Sequence, residues 1–544
     1  MTKWFIYVRG DDSEYSSFID NSDSVKNLAS AFPTVFFLVS IFMCIMSMSR
    51  MALEDRGEIG ILKSLGFSNK HIILKYVIYS ILATILGSIL GGLFGFYFLT
   101  WFIFKIYGML YFIPFFVYQY NIGPFIVGTI IAIVCITGPS ILTVKIIVNE
   151  KPLSLLRPLA PSKGKKILIE YIPIWKKISF SNKITIRNIV RYKKRVIMTV
   201  LGIAGCTILL LTGYGIKDSI MTISDKQFGE VYIVDEVVYF DSKEKNISKI
   251  LNNKYIKNYE EINIQTVKVN NFTADLRALK NDFNYDVINL TDYKTHEKLY
   301  LENNKVIITD KLSTENNYKV GDKIKFIDTN NKIYKIEISG VATNYVGANI
   351  FMNIETYEKL FEEYKPNVAY INLNNIEEEE KVAKELMKNE HILSVISKNS
   401  AKKNVEVILQ SLNNVVLILV VLSGILSFVV LYNLSYINIS ERKREIATLK
   451  VLGFTNSEVD NYIIKENFLI TIIGILIGLM FAKPFVDYIV NTVEIELVRF
   501  IHIINISSYL YTFTYMILFT CIVTVVIHFT LKKINMSESL KTVE

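Results

Sequence analysis

Residues 54–72 read EDRGEIGILKSLGFSNKHI, and residues 441–459 read ERKREIATLKVLGFTNSEV. At one constant offset the pairs Glu58/Glu445, Ile59/Ile446, Leu62/Leu449, Lys63/Lys450, Leu65/Leu452, Gly66/Gly453, Phe67/Phe454 and Asn69/Asn456 are identical. The register continues without a gap, so that Gly87 matches Gly474 and Gly91 matches Gly478. A gapless repeat of this kind marks a duplicated module.

Each copy is embedded in apolar sequence. The 544-residue chain is 51% hydrophobic and 20% charged, with a mean hydropathy of +0.33. The apolar residues cluster in runs that approach or exceed the roughly 18–20 residues needed to cross a hydrocarbon layer about 30 Å thick. Seven spans are expected: Pro33–Met48, Leu74–Phe104, Pro124–Val148, Val196–Gly215, Val415–Ile437, Phe468–Phe481 and Leu510–Leu531. Lys483 and Pro484 cut the sixth short. The module is thus span, short connection, span, loop, span, present twice.

Charge orients the chain. Between Glu150 and Arg195 lie 13 Lys or Arg and two acids, Glu150 and Glu170. The positive-inside rule makes that segment cytoplasmic. Counting outward puts Arg50–Lys75, Asn438–Lys465 and the tail after Lys532 on the same side, and all three carry basic residues. The expected organisation is an external segment 1–31, a first module 32–149, a basic cytoplasmic linker 150–195, an additional span 196–215, an extracytoplasmic domain 216–414, a second module 415–533 and a cytoplasmic tail 534–544. The net charge of +9 serves membrane orientation, and no nucleic-acid footprint accompanies it.

The extracytoplasmic domain reads as mixed. Lys323–Ile327 alternates, Asp328-Thr329-Asn330-Asn331 makes a turn, and Ile333–Ile338 alternates again, which predicts a hairpin. Glu377–Lys388 predicts an amphipathic helix with Val382, Leu386 and Met387 on one side. The fold class is therefore an α-helical integral membrane protein with duplicated three-helix modules plus a mixed α/β extracytoplasmic domain.

The repeated connection predicts a short helix over Glu58–Leu65, with Ile59, Leu62 and Leu65 at helical spacing, Glu58 and Lys63 elsewhere on its surface, and Gly66 as its stop. Such a helix is too short to be stable alone and must pack on something, the lipid interface or a cytoplasmic partner. Its repetition with the same Glu and Lys favours a docking element for a two-site partner. In the following spans Gly87, Gly91 and Gly95, and Gly474 with Gly478, form GxxxG steps suited to helix packing.

Other chemistries are not written here. No GxxxxGK(S/T) phosphate cradle occurs. The histidines at 71, 296, 391, 502 and 528 lack ligand spacing, so no metal site is expected. Cys44, Cys135, Cys206 and Cys521 all fall in expected spans as packing residues, with no disulfide framework outside. Charges inside spans are nearly absent, unlike ion-coupled carriers. Neither a nucleophile elbow nor a zincin motif appears. By itself the chain does not read as an enzyme. Abundant Ile, Asn and Lys hint at an AT-rich bacterial genome, and the expected location is a bacterial plasma membrane, with the N-terminus outside and the C-terminus cytoplasmic.

These residues resemble the FtsX-like (MacB-type) permeases of ABC transporters. The segment Glu58–Ser68, and Glu445–Thr455 with Ala447 in place of the first glycine, is similar to that family's E-I-G-x-L-K-x-L-G-(F/Y)-(S/T) motif. Residues 32–51 look like the start of its domain, and Val320–Ile324 with Ile336–Val341 resemble its extracytoplasmic core. The resemblance implies a separate cytoplasmic ABC ATPase dimer, which binds ATP and Mg, docking on the short helix of each module. This chain itself would bind no cofactor. Glu58, Ile59, Leu62, Lys63, Leu65, Gly66 and Phe67, with Glu445, Ile446, Leu449, Lys450, Leu452, Gly453 and Phe454, are the implied coupling residues. Within them Glu58 and Glu445 would make charged contacts, and Phe67 and Phe454 would anchor. Clients of the family range from peptides, lipids and lipoproteins to cell-wall hydrolases. Two-module relatives usually begin with a span and an external domain, whereas here Trp4–Val8 looks like the tail of one. The expectation is a truncated or split form, partnered by a second permease copy or a missing N-terminal half. A secondary transporter, or a sensory or scaffold subunit, are the alternatives from other classes.

Overall fold

The computed structural model describes residues 13–110, 115, 117, 119, 121–156, 180–191, 193–242, 247–270, 272–280, 287–361, 363–441, 446, 448, 451, 453–494 and 498–532. In chain order the helices are α1 (Ser13–Glu54), α2 (Arg56–Ser64), α3 (Asn69–Phe94), α4 (Thr100–Leu110), α5 (Ile122–Val148), α6 (Pro152–Leu156), α7 (Phe180–Arg191) and α8 (Lys193–Lys226). A mixed segment follows with β1 (Glu236–Phe240), α9 (Ile247–Leu251), β2 (Ile256–Val269), β3 (Phe272–Leu279), β4 (Lys305–Thr309), α10 (Asp310–Asn316), β5 (Lys323–Ile327), β6 (Ile333–Ala342), β7 (Asn349–Asn353), α11 (Ile354–Phe361), β8 (Val368–Leu373), α12 (Glu379–Leu386) and β9 (Ile392–Ser397). The chain closes with α13 (Lys398–Glu441), α14 (Asn456–Val493) and α15 (Ile506–Lys532). Two compact units result. One is built mainly of residues 25–216, 414–492 and 504–544, the other of residues 217–413 and 493–503.

The helical unit holds the membrane spans. Among the described residues seven helices are long and apolar enough to cross a bilayer: Phe36–Glu54, Asn69–Lys105, Ile122–Val148, Val196–Val231, Val416–Ile437, Glu458–Thr492 and Ile506–Phe529. The sixth departs from expectation. Pro484 lies inside α14, which runs on to Val493. A proline in a spanning helix is tolerated because neighbouring groups satisfy the carbonyl it leaves free. The same helix begins early enough to include Asp460 and Glu466, 6% and 0% exposed. Spans are therefore not as free of charge as the apolar runs suggest. Of the cysteines, Cys44 and Cys206 are buried, but Cys521 is on the surface and does not pack a core.

The span of α8 is the most enclosed of the seven: 72% of its most apolar window is buried, against 6–39% for the others. Around the short connection of the first module a separate core forms from Cys44, Met48 and Ala52 of α1, Ile59 of α2, Ile72 and Tyr76 of α3, Val144, Ile147 and Val148 of α5, and Leu155 of α6.

The mixed unit carries one nine-stranded sheet in the order β3-β7-β4-β6-β5-β2-β8-β1-β9, with β3 also paired to β2. The fourteen-residue β2 is the shared strand. Its first half, Ile256–Ile262, runs antiparallel to β8, and its second half, Asn263–Val269, antiparallel to β3. Where β8 parts from β2, the Asn367 side chain replaces the ladder: Nδ2 donates to Ile264 O at 2.9 Å and Oδ1 accepts from Ile264 N at 2.8 Å. The predicted hairpin is β5–β6, in which Ile324, Phe326, Tyr334, Ile336 and Ile338 point into one core. Asp328 Oδ1 accepts from the amides of Asn330 and Lys332, both at 2.8 Å, which fixes the turn. In α12 Val382 and Leu386 are buried as expected. Met387 is the cap residue beyond the last turn and is half exposed.

Candidate functional site

At nine residues α2 cannot hold its own shape in water. Its neighbours hold it. Ile59 is buried, and a Cβ at Gly60 would lie 3.1 Å from the side chains of Leu155 and Leu156, so the glycine is what lets α6 approach. Lys63 Nζ donates to the carbonyls of Val148 and Glu150, each at 2.7 Å. Those carbonyls close the C-terminal end of α5, where a cation is favoured and free acceptors need partners. Arg56 is ion-paired with Glu150 and also donates to Ser154 O at 3.0 Å. At the entrance, Asp55 accepts from the hydroxyl of buried Tyr76 at 2.9 Å and pairs with Lys75 at 3.2 Å.

The exit is a Schellman cap. Gly66 takes φ +88°, its N–H reaches Lys63 O at 3.1 Å, and Phe67 N–H reaches Leu62 O at 3.0 Å. Ser68 then N-caps α3 through the amide of His71.

Two expectations about this helix change here. Leu65 was grouped with Ile59 and Leu62 on one apolar face, yet it is 71% exposed while Leu62 is half-buried. The period of 3.6 turns Leu65 onto the same side as Ile61, which is 55% exposed, and Phe67 beyond the cap is 52% exposed. Lys63 was read as a surface residue, and its ammonium is turned inward onto α5. Glu58 remains on the surface, bonded to Lys75 at 3.1 Å. A shallow pocket of about 140 Å³ lies beside it, lined by Glu58, Leu62, Phe67, His71 and Lys75 among others. The arrangement is a small helix anchored along one side that offers Ile61, Leu65 and Phe67 with a charged margin along the other.

In the second module Glu445, Leu449, Lys450 and Leu452 lie outside the described residues. Of the rest, Ile446 is 1% exposed like Ile59, Gly453 takes φ +93° like Gly66, and Phe454 is 45% exposed. Thr455 and Glu458 form a capping box: Thr455 N donates to Glu458 Oε2 at 2.9 Å, and Glu458 N to Thr455 Oγ1 at 3.4 Å.

The glycine stripes differ between the modules. A Cβ at Gly474 or Gly478 would come within 2.8 Å of α8, whereas one at Gly87, Gly91 or Gly95 would meet no described atom within 4 Å. Within α3 the glycine that does allow close packing is Gly92, against Phe125 of α5. Sequence reasoning passed over Gly92, Arg56, Asp55 and Tyr76, whose partners are 20 to 98 positions away. It also passed over His528, whose Nδ1 lies 2.6 Å from Asp460 Oδ2.

Comparison with known proteins bears on both modules. The family model described as FtsX-like permease C-terminal matches residues 30–152 and 417–536. An uncharacterised ABC transporter permease of Methanocaldococcus jannaschii is 27% identical over 176 residues, 30% of this chain and 44% of that protein. The match thus spans less than half of the relative. The periplasmic region of MacB from Actinobacillus actinomycetemcomitans is 10% identical, with 33% of this chain and 96% of that one covered at a TM-score of 0.23. The extracellular domain of the ABC-type transporter YknZ from Gram-positive bacteria is 11% identical, with 30% and 100% covered at a TM-score of 0.22.

Proposed function

We propose that this chain, which matches the FtsX-like permease domain twice, works as an ABC transporter permease in which α2 and its counterpart around Ile446 are the docking helices for a pair of cytoplasmic ATPase subunits. The observation that carries this reading is the two-sided character of α2. One side is joined to α5 and α6 through Lys63, Arg56 and Gly60, so a push on the helix moves its neighbours with it. The other presents Ile61, Leu65 and Phe67, and burying such side chains under a partner is worth roughly 1.5–3 kcal/mol each. Charge supports the orientation, because the basic segment 150–195 adjoins the same end of the module. The mixed α/β unit then lies outside, and ATP-driven closure of the partner does mechanical work there on a peptide, lipid, lipoprotein or cell-wall client.

The test is co-purification of the tagged chain with a nucleotide-binding subunit from its native membrane. Phe67→Asp with Phe454→Asp, and separately Glu58→Lys with Glu445→Lys, are expected to release that subunit while the permease stays folded. Unchanged recovery in both pairs would overturn the docking assignment. Glu466, buried in α14, is the feature that favours an ion-coupled carrier instead. ATP-independent uptake driven by a pH gradient and abolished by Glu466→Gln would mark that reading.

A further inference from the structure

Two charges bracket the second span. Between Lys75 and Lys145 the sequence holds one charged residue, Lys105. Lys75 pairs with Asp55 and Glu58 beside α2. Lys105 follows thirty positions later, about 45 Å along a helix that rises 1.5 Å per residue. A bilayer with its headgroups is about 40–45 Å thick. With Lys75 at one headgroup layer, Lys105 reaches the other, in the leaflet opposite α2.

A ladder of rings leads up to it. Phe94 stacks on Phe98 with centroids 4.8 Å apart, Phe98 lies 6.4 Å from Trp101, and Lys105 Nζ sits 5.4 Å over the Trp101 ring. Steps of four, three and four residues keep these side chains on one helix face. The three rings are each 47–48% exposed. A π turn over Gly95–Leu99 lies within the stripe, a form frequent at functional sites. Among the described residues no carboxylate pairs with Lys105.

The repeat keeps the rings and drops the cation. At the 387-position offset Phe94, Phe98 and Trp101 correspond to Phe481, Phe485 and Tyr488 of α14. Phe481 and Tyr488 are each 59% exposed, and the rings of Phe485 and Tyr488 are 6.4 Å apart. Lys105 corresponds to Thr492, and the nearby Lys483 is paired with Asp487 at 3.5 Å. An exposed aromatic stripe is thus common to both modules, and an unpaired charge at its end belongs to the first alone.

We infer that Phe94, Phe98, Trp101 and Lys105 form a binding site for a phospholipid with an anionic headgroup. An acyl chain lies along Phe94 and Phe98. Trp101 stands at the interface, where an amphipathic ring is favoured, and the Lys105 ammonium takes the headgroup charge. An apolar protein surface would cover the rings and leave that ammonium without a counter-charge. The stripe on α14 takes lipid without regard to headgroup. The inference rests on the depth of the span and does not depend on the ATPase assignment.

The experiment uses the full chain in phosphatidylcholine nanodiscs with Trp4→Phe and Trp175→Phe, so that Trp101 is the one tryptophan left. Phosphatidylglycerol or phosphatidylcholine, brominated on the acyl chains, is titrated in and the quenching of Trp101 is read. Both are expected to quench, the phosphatidylglycerol at about fivefold lower mole fraction, the preference that one lysine beside an anionic headgroup gives. Lys105→Gln should abolish that preference and Lys105→Arg should keep it. A tryptophan moved to the second stripe, with Trp101→Phe and Tyr488→Trp, should be quenched by both lipids alike. Equal quenching at Trp101, a preference that survives Lys105→Gln, or the same preference at position 488 would overturn the site. So would quenching by neither lipid: sensitivity to iodide would then mean that the stripe faces water, and insensitivity that protein covers it.

Discussion

Gly66 and Gly453, 387 positions apart, adopt the same left-handed backbone, at φ +88° and +93°. Gly66 ends α2, and Gly453 stands in the corresponding place just before α14. An L-side chain in that region costs roughly 1–2 kcal/mol. Gly66→Ala and Gly453→Ala should therefore each destabilise by about that amount, and to a similar degree. Thermal unfolding followed in detergent checks this, and a neutral effect at either position would show that its cap rearranges freely.

Lys63 offers a test of rigidity. Lys63→Met keeps the aliphatic stem and removes both donors to the carbonyls of Val148 and Glu150. Two acceptors lose a charged partner, so a loss of about 1.5–3 kcal/mol is expected locally. Hydrogen exchange in α2 and the last turn of α5 should rise together. If only one of them loosens, the clamp does not couple the two helices.

The glycine stripes predict an asymmetry. Gly478→Ala places a methyl against the Thr207 side chain and the Ala204 backbone, and overpacking of this kind costs typically 1–3 kcal/mol. Gly91→Ala meets open space and should be neutral or slightly stabilising through helix propensity. Melting temperatures of the two variants decide it.

Glu236 on β1 makes the mixed unit sensitive to pH. Its side chain is fully buried, and both carboxylate oxygens lack a hydrogen-bond partner among the described residues. Burial, with the like charges of Glu379 and Asp235 adding to it, pushes its pKa from 4.5 to about 8. The protonated form is the one the fold accepts. Its contribution is therefore fully present below about 4.5 and is lost as pH rises through about 8, because the unfolded chain gives up the proton first. Hydrogen exchange in β1 and β8, corrected for intrinsic rates, should show protection falling over that window. Glu236→Gln should flatten the profile, and a profile that rises instead would show that another group governs it.

Arg499 ties the segment before α15 to α10. It lies 2.9 Å from Glu494 and 3.3 Å from Asp310, while buried Lys311 reaches Glu494 at 3.4 Å. Burial raises the Asp310 carboxyl to about 6 even though Arg499 pulls it down. Arg499→Gln leaves two carboxylates facing a single lysine and should destabilise on the order of 2–4 kcal/mol, short of a fully buried pair because Arg499 keeps some solvent. Faster proteolysis between Val498 and Ile503 is the measurable sign.

The spans were readable because a bilayer demands apolar length, and the repeat because glycine alone tolerates the turn at 66 and 453. The sixth span was underestimated for the same reason. Asp460, Glu466 and Pro484 look foreign to a hydrophobic run, and the partner of Asp460, His528, lies on another helix 68 positions away. In α2 the spacing of Ile59, Leu62 and Leu65 was visible, but spacing cannot say which of several faces a neighbouring helix will cover. The clamp of Lys63 on α5 and the approach of α6 to Gly60 depend on chain segments 85 or more positions away. In the same way the β5–β6 hairpin was legible from alternation, whereas the split pairing of β2 was not. That pairing is decided by β8, about a hundred positions later.

Because β2 is laced to β8 along one half and to β3 along the other, the two lobes of the mixed unit share a single beam about 45 Å long. Load applied to β9 or β1 cannot be relieved by slippage between the lobes and has to travel along that beam. At the changeover between Ile262 and Asn263 the ladder is carried over by Asn367, whose N–H meets Ile262 O at 3.1 Å and whose side chain pairs with Ile264. A pull on one end of β2 is therefore passed across that joint to the other end.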